Sequence, residues 1–142
     1  MKVLYLLLIL LGIVVISGCQ LNQGETMVLL DEKVKKVEVS KSNGVGDINQ
    51  DIMLSFDDKQ SIKIFEGAIR TATKQESAMN VVDPDFDLIV GYGDKFPKHA
   101  IHLWLGNENE SSILMYMVGE GETYLTSSKF TNQLRELILS EE

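Results

Sequence analysis

The chain reads as an α+β domain: an antiparallel β-sheet in the order β-β-α-β-β-β-β-α with two helices packed on one face, preceded by a signal-peptide helix. Three observations predict it. Short stretches alternate apolar and polar residues with a period of two. Two longer stretches repeat apolar residues at helical spacing, and glycine, asparagine and proline clusters punctuate the chain between them.

The leader comes first. Lys2 supplies a minimal positive start, and Val3 to Ile16 is an uncharged run of the length of a signal-peptide apolar region rather than a full membrane span. Ser17 and Gly18 leave the backbone before Cys19 unhindered for a peptidase, and the Cys19 thiol is the nucleophile that takes a lipid. Ile16 to Cys19 resembles the bacterial lipoprotein signal, with Ile16 where leucine is commoner. The expected outcome is cleavage between Gly18 and Cys19, with palmitate-like acyl chains on Cys19. At about 0.8 kcal/mol per buried methylene, two chains hold a protein on a membrane without other contacts. The competing reading is an uncleaved transmembrane anchor, for which Val3 to Cys19 is marginally long.

The expected division is residues 1–18 as signal peptide, 19–30 as lipidated cysteine and tether, and 31–142 as one α+β domain. About 120 residues remain after cleavage, enough to bury an ordinary core. Cys19 is the sole cysteine, so the exported domain depends on packing, without disulfides. The net charge of −8 repels phosphates and anionic headgroups. Nucleic acid is therefore excluded as a partner, and the membrane is engaged through the lipid alone.

Gln20 to Thr26 is polar and reads as a short tether. Met27 to Leu30 is an apolar patch with two placements open to it, beginning the fold or packing beneath it. Val34 to Ser40 alternates as a half-buried strand, Lys41 to Gln50 carries turn chemistry at Asn43-Gly44 and Gly46-Asp47, and Asp51 to Phe56 is a second strand. Asp57 or Asp58 caps a helix in which Ile62, Phe65, Ala68, Ile69 and Ala72 share one stripe, ending near Lys74. Gln75 to Pro84 is an irregular connection. Four strands follow as a meander between Phe86 and Thr126, interrupted at Gly93 to Pro97, Gly106 to Glu110 and Gly119 to Gly121. The third, from Ile113 to Val118, is apolar on both sides and so belongs in the sheet centre. Ser127 or Ser128 caps a last helix with Phe130, Leu134, Leu137 and Ile138 toward the sheet.

Candidate sites are few. Asp83, Asp85, Asp87 and Asp94 imitate calcium-loop spacing, but Leu88 stands where the sharp turn needs glycine. Asp47, Asn49 and Asp51 fail in the same way at Ile52. His99 and His102, three apart on a strand, point to opposite faces and cannot share a metal ion. Gly44-Val45-Gly46 lacks the third glycine and the helix of a dinucleotide loop. No metal, cofactor or catalytic residue is expected. The candidate binding patch is aromatic: His102, Trp104, Tyr116 and Tyr124, projecting from the face opposite the helices, against the alternative that these rings pair across strands or pack beneath loops.

Val37 to Gly44, His99 to Gly106 and Gln133 to Ile138 together resemble the small YhfM-like lipoproteins of Bacillus and relatives. The resemblance implies a surface lipoprotein of a Gram-positive envelope, anchored on the extracytoplasmic side of the cell membrane, with no catalytic residues to carry over. The functional expectation is a lipid-anchored, non-enzymatic binding domain whose partner is an envelope protein. The alternatives are an envelope enzyme or enzyme accessory using scattered carboxylates such as Asp85 and Asp87, a small-ligand-binding lipoprotein, or a structural spacer.

Overall fold

The computed structural model describes residues 1–3, 24–76 and 82–140. The signal-peptide run, Gly18, Cys19 and the tether up to residue 23 lie outside the described residues. Among the described residues no helix is long and apolar enough to cross a membrane.

The elements in chain order are β1 (Lys36–Lys41), β2 (Leu54–Phe56), α1 (Lys59–Arg70), β3 (Thr73–Lys74), β4 (Phe86–Gly91), β5 (His99–Trp104), β6 (Ser112–Tyr116), β7 (Thr123–Thr126) and α2 (Ser128–Leu139). They form a seven-stranded sheet in the order β2-β1-β4-β5-β6-β7-β3, antiparallel at every pairing. This is the α+β architecture that the periodicities predict, with one strand more. The central placement of β6, between β5 and β7, follows from its two-sided burial.

Register decides which side chains share a face. Val37 pairs with Val90, Leu88 with Ile101, Leu103 with Leu114, and Leu114 with Tyr124, so these residues line one side. Against that side pack Phe65 and Ile69 of α1 and Leu134 and Ile138 of α2, all within one buried cluster. Filling such positions contributes roughly 1.5–3 kcal/mol for each large side chain. On the same side the Ser112 and Thr131 hydroxyls bond to each other at 2.7 Å, fixing α2 over β6.

Both helices begin where a side chain can accept a free amide proton. Asp58 takes that of Ser61 at 2.9 Å, and this bond holds its carboxyl below the usual carboxylate range. Ser127 takes that of Phe130. α1 ends at Arg70 rather than near Lys74: Thr71 is its C-cap, the Ala72 amide tightens onto the Ile69 carbonyl, and the Lys74 amide leaves the helix for the Glu25 carbonyl. Ala72 continues the apolar stripe and is buried, but its carbonyl accepts from Met27 N–H. Thr73 and Lys74 then pair with Leu125 and Tyr124 as an edge strand.

The patch from Met27 to Leu30 is part of the fold. Glu25 and Thr26 run beside β3, through Lys74 N–H to the Glu25 carbonyl at 2.7 Å and a bridge between Thr26 and Thr73. Met27, Leu29 and Val34 are then buried as a strap over the helix-bearing side.

Candidate functional site

On the side of the sheet away from the helices, register lines up Ser40, Asp87, His102, Met115 and Thr123 across five adjacent strands. Two of these are titratable, and they meet. His102 Nδ1 lies 2.8 Å from Asp87 Oδ1, and both side chains are 0% exposed. Asp87 Oδ2 accepts the Asn49 amide at 3.0 Å, and His102 Nε2 accepts the Gly46 amide at 3.2 Å.

The chain between β1 and β2 supplies the cover. It leaves β1 at Lys41, doubles back over the outer side, and is pinned by the Ser40 hydroxyl on the Asn49 carbonyl at 2.7 Å. Gly44 and Gly46 have φ of 113° and 89°, a region glycine enters without a Cβ penalty. That conformation turns the Gly46 N–H down onto the imidazole. Asp83 closes the rim: its Oδ1 lies 3.4 Å from where a Cβ on Gly44 would sit.

A backbone amide can only donate, so Nε2 holds a lone pair and Nδ1 carries the proton shared with Asp87. A carboxylate that fixes the imidazole tautomer in this way prepares Nε2 to act as a base. Here that lone pair is engaged by the covering loop. The contact made by Nε2 is with a main-chain amide, not with a hydroxyl or thiol to be activated.

The aromatic quartet does not assemble. His102 and Trp104 do share the outer side, with ring centroids 6.2 Å apart. Trp104 is covered, however: it is 7% exposed, and its indole N–H donates to the Val82 carbonyl at 2.6 Å. Tyr116 and Tyr124 face the helix-bearing side, because Tyr116 pairs with Ile101 and Tyr124 with Leu114. There they join Tyr92 and His99 in a run of ring contacts at 5.7–6.0 Å.

That run holds the strap. The Tyr116 hydroxyl accepts the Val28 amide and donates to the Val28 carbonyl, both at 2.6 Å. Tyr92 accepts the Leu30 amide, and its hydroxyl shares a hydrogen bond with His99 Nδ1 at 2.6 Å. Burial pushes the three phenols up, and burial followed by the Arg70 charge holds His99 below its usual value.

The Asp87–His102 pair is the arrangement that reading along the chain overlooks. Asp87 is legible there only as a member of a failed calcium pattern or as a scattered carboxylate, and His102 as a patch residue. The signal was the β4–β5 hairpin, because a turn centred between Asp94 and Lys95 places 87 opposite 102. Asp85 goes elsewhere, its Oδ2 taking the Leu105 amide at 2.8 Å. Among the described residues no three His, Cys, Asp or Glu side chains group as metal ligands.

A groove of about 620 Å³ opens between α1 and α2. Ile64, Gly67 and Phe130 lie along it, with Lys63, Arg70 and Lys129 beside them.

Comparison with known proteins adds a fold and a family. The crystal structure of a thioesterase-like protein from Clostridium sporogenes ATCC 15579 matches with a TM-score of 0.59 at 15% identity, over 75% of this chain and 94% of that one. At that identity the likeness is one of fold. No curated protein matches the sequence. The model of the family described as YhfM protein matches residues 30–142, which takes in every strand and both helices, and the chain therefore belongs to the YhfM family.

Proposed function

We propose that this protein is a lipid-anchored binding domain, held through Cys19 on the extracytoplasmic side of a Gram-positive cell membrane, where it engages another envelope protein. The observation that carries the non-enzymatic reading is the closure of the Asp87–His102 pair, whose reactive nitrogen is engaged by Gly46 N–H and whose side chains are wholly buried. The lipoprotein-like run from Ile16 to Cys19 supports the anchor. The Glu25 carbonyl already accepts from Lys74 N–H, so the few residues between Cys19 and Glu25 keep the domain close to the bilayer.

Labelled palmitate is expected to enter the protein, and Cys19→Ser is expected to lose both the label and sedimentation with membranes. Crosslinking in intact cells is expected to capture an envelope protein. A Cys19→Ser variant that stays as firmly on membranes defeats the anchor, and cells that yield no protein adduct from any surface defeat the binding reading.

A second reading draws on two observations together, the fold shared with a thioesterase-like protein and the buried histidine–carboxylate pair. In it, the 44–46 loop swings away, His102 Nε2 removes a proton from water as that water attacks an acyl thioester, and the C–S bond breaks as the imidazolium returns the proton to the departing thiolate. Thiol release from an acyl-thioester panel, lost in His102→Ala, supports this reading; a purified protein that releases none removes it.

A further inference from the structure

We propose that the groove between α1 and α2 is a docking site for an acidic amphipathic helix of a partner protein. This deepens the binding reading above and rests on it. The chain has 21 acidic residues against 13 lysines and arginines, so a place where cations outnumber carboxylates runs against the balance of the surface. Lys63 and Lys129 flank the groove, yet neither makes an ion pair among the described residues. Lys129 instead holds its ammonium 5.9 Å from the Phe130 ring. Arg70, the third cation, reaches Glu66 at 3.7 Å and the Leu30 carbonyl at 3.0 Å.

The floor between these cations is apolar. At its centre Gly67 lets the helices close: a Cβ there would stand 2.6 Å from the Phe130 ring. Ile64 continues the surface one turn earlier on α1. The rim carries Lys63, Arg70 and Lys129 against Glu66, and such a cationic excess around an apolar floor, in a chain of net charge −8, calls for a ligand that is apolar on one side and anionic along its edges.

The spacing of the cations selects among such ligands. Lys63 and Arg70 are seven residues apart on one helix, about 10 Å along its axis at 1.5 Å per residue. The single headgroup of a lipid or fatty acid meets one of them. A helix with carboxylates seven residues apart spans the same distance and lays its apolar stripe on Ile64 and Phe130. At 12 residues, α1 offers about 18 Å of groove, the length of three turns of such a helix.

The test uses the full lipoprotein in its own cells. A photo-crosslinking benzoylphenylalanine is placed at Gln60 or Thr71 in the groove, and at Val45 or Val118 as exposed positions elsewhere. The expected result is a protein adduct from the groove positions, mapped by mass spectrometry to a helical segment rich in Asp and Glu. Lys63→Gln combined with Lys129→Gln is expected to lower its yield about tenfold while leaving the melting temperature in place. Four results overturn the proposal: an adduct with lipid, an adduct with a second copy of this chain, a mapped segment without acidic residues, or a yield indifferent to the double substitution. Adducts from Val45 or Val118 but none from the groove sink this site and leave the binding reading standing. No protein adduct from any position sinks both.

Discussion

The two sides of the sheet each hold one histidine of β5, and they hold it by different means. His99, toward the helices, is hydrogen-bonded to the Tyr92 hydroxyl within a run of aromatic rings and a buried apolar cluster. His102, toward the outer side, donates to Asp87 and is covered by a loop whose Gly46 amide bonds to its other ring nitrogen. The first side is built from many interchangeable dispersion contacts, each worth a fraction of a kcal/mol. The second is built from a few directional bonds, in which losing one partner leaves the other buried and unmatched. Removing a single polar atom should therefore cost far more on the outer side.

The largest effect is expected from Asp87→Ala. It strands the His102 Nδ1–H and the Asn49 amide together, and each buried donor left unmatched costs about 1–3 kcal/mol. Denaturant unfolding measures the loss, and hydrogen exchange should show the Gly46 and Asn49 amides opening with it. A variant as stable as the parent would mean that the outer side is held by something other than this pair.

Next is Tyr116→Phe, which keeps the ring and removes both bonds to Val28, for about 1–2 kcal/mol. Exchange should quicken at Val28 and Leu30 while the β4 and β5 amides stay protected. Uniform quickening across the sheet would show that the strap and the core open as one unit.

The smallest effect concerns pH. Burial, with Arg70 adding to it, holds His99 below the usual histidine value of 6.5. The unfolded chain therefore takes up a proton near that value while the folded chain resists until lower pH. This contribution to stability is complete above pH 6.5 and falls as pH drops from there toward the folded-state value. Comparing denaturation midpoints at about pH 7.5 and about pH 5.5 should show the decline, and His99→Gln should flatten part of it. An unchanged slope in that variant would move the titration to another group.

What was legible in the chain divides along the same line. Alternation in β4 and β5 and the helical stripe from Ile62 to Ile69 are local patterns, and they placed the elements, the helix starts and the opposite facing of His99 and His102. Val34 and Ala72 show where local pattern misleads. Each lies outside a strand or helix, yet each is buried by a partner distant in sequence. Tyr116 was misplaced because β6 is apolar on both sides, which leaves its parity unreadable until Leu103 opposite Leu114 sets it, and Tyr124 on β7 follows only through its pairing with Leu114. The bonds from Asn49 to Asp87 and from Gly46 to His102 join a turn to strands 38 and 56 residues away, and no spacing rule within one element announces them. The short strand β3 is visible only through its pairing with β7.

The strap also bears on how a soluble version should be trimmed. The family match starts at residue 30, but cutting there removes Met27 and Leu29 from the interior and leaves the Tyr116 hydroxyl without its main-chain partner. It would also strip the exposed edge of β3, inviting a neighbouring molecule to add a strand. A version opening at Gly24 keeps that edge covered, and the two recombinant proteins should differ more in aggregation than in secondary structure.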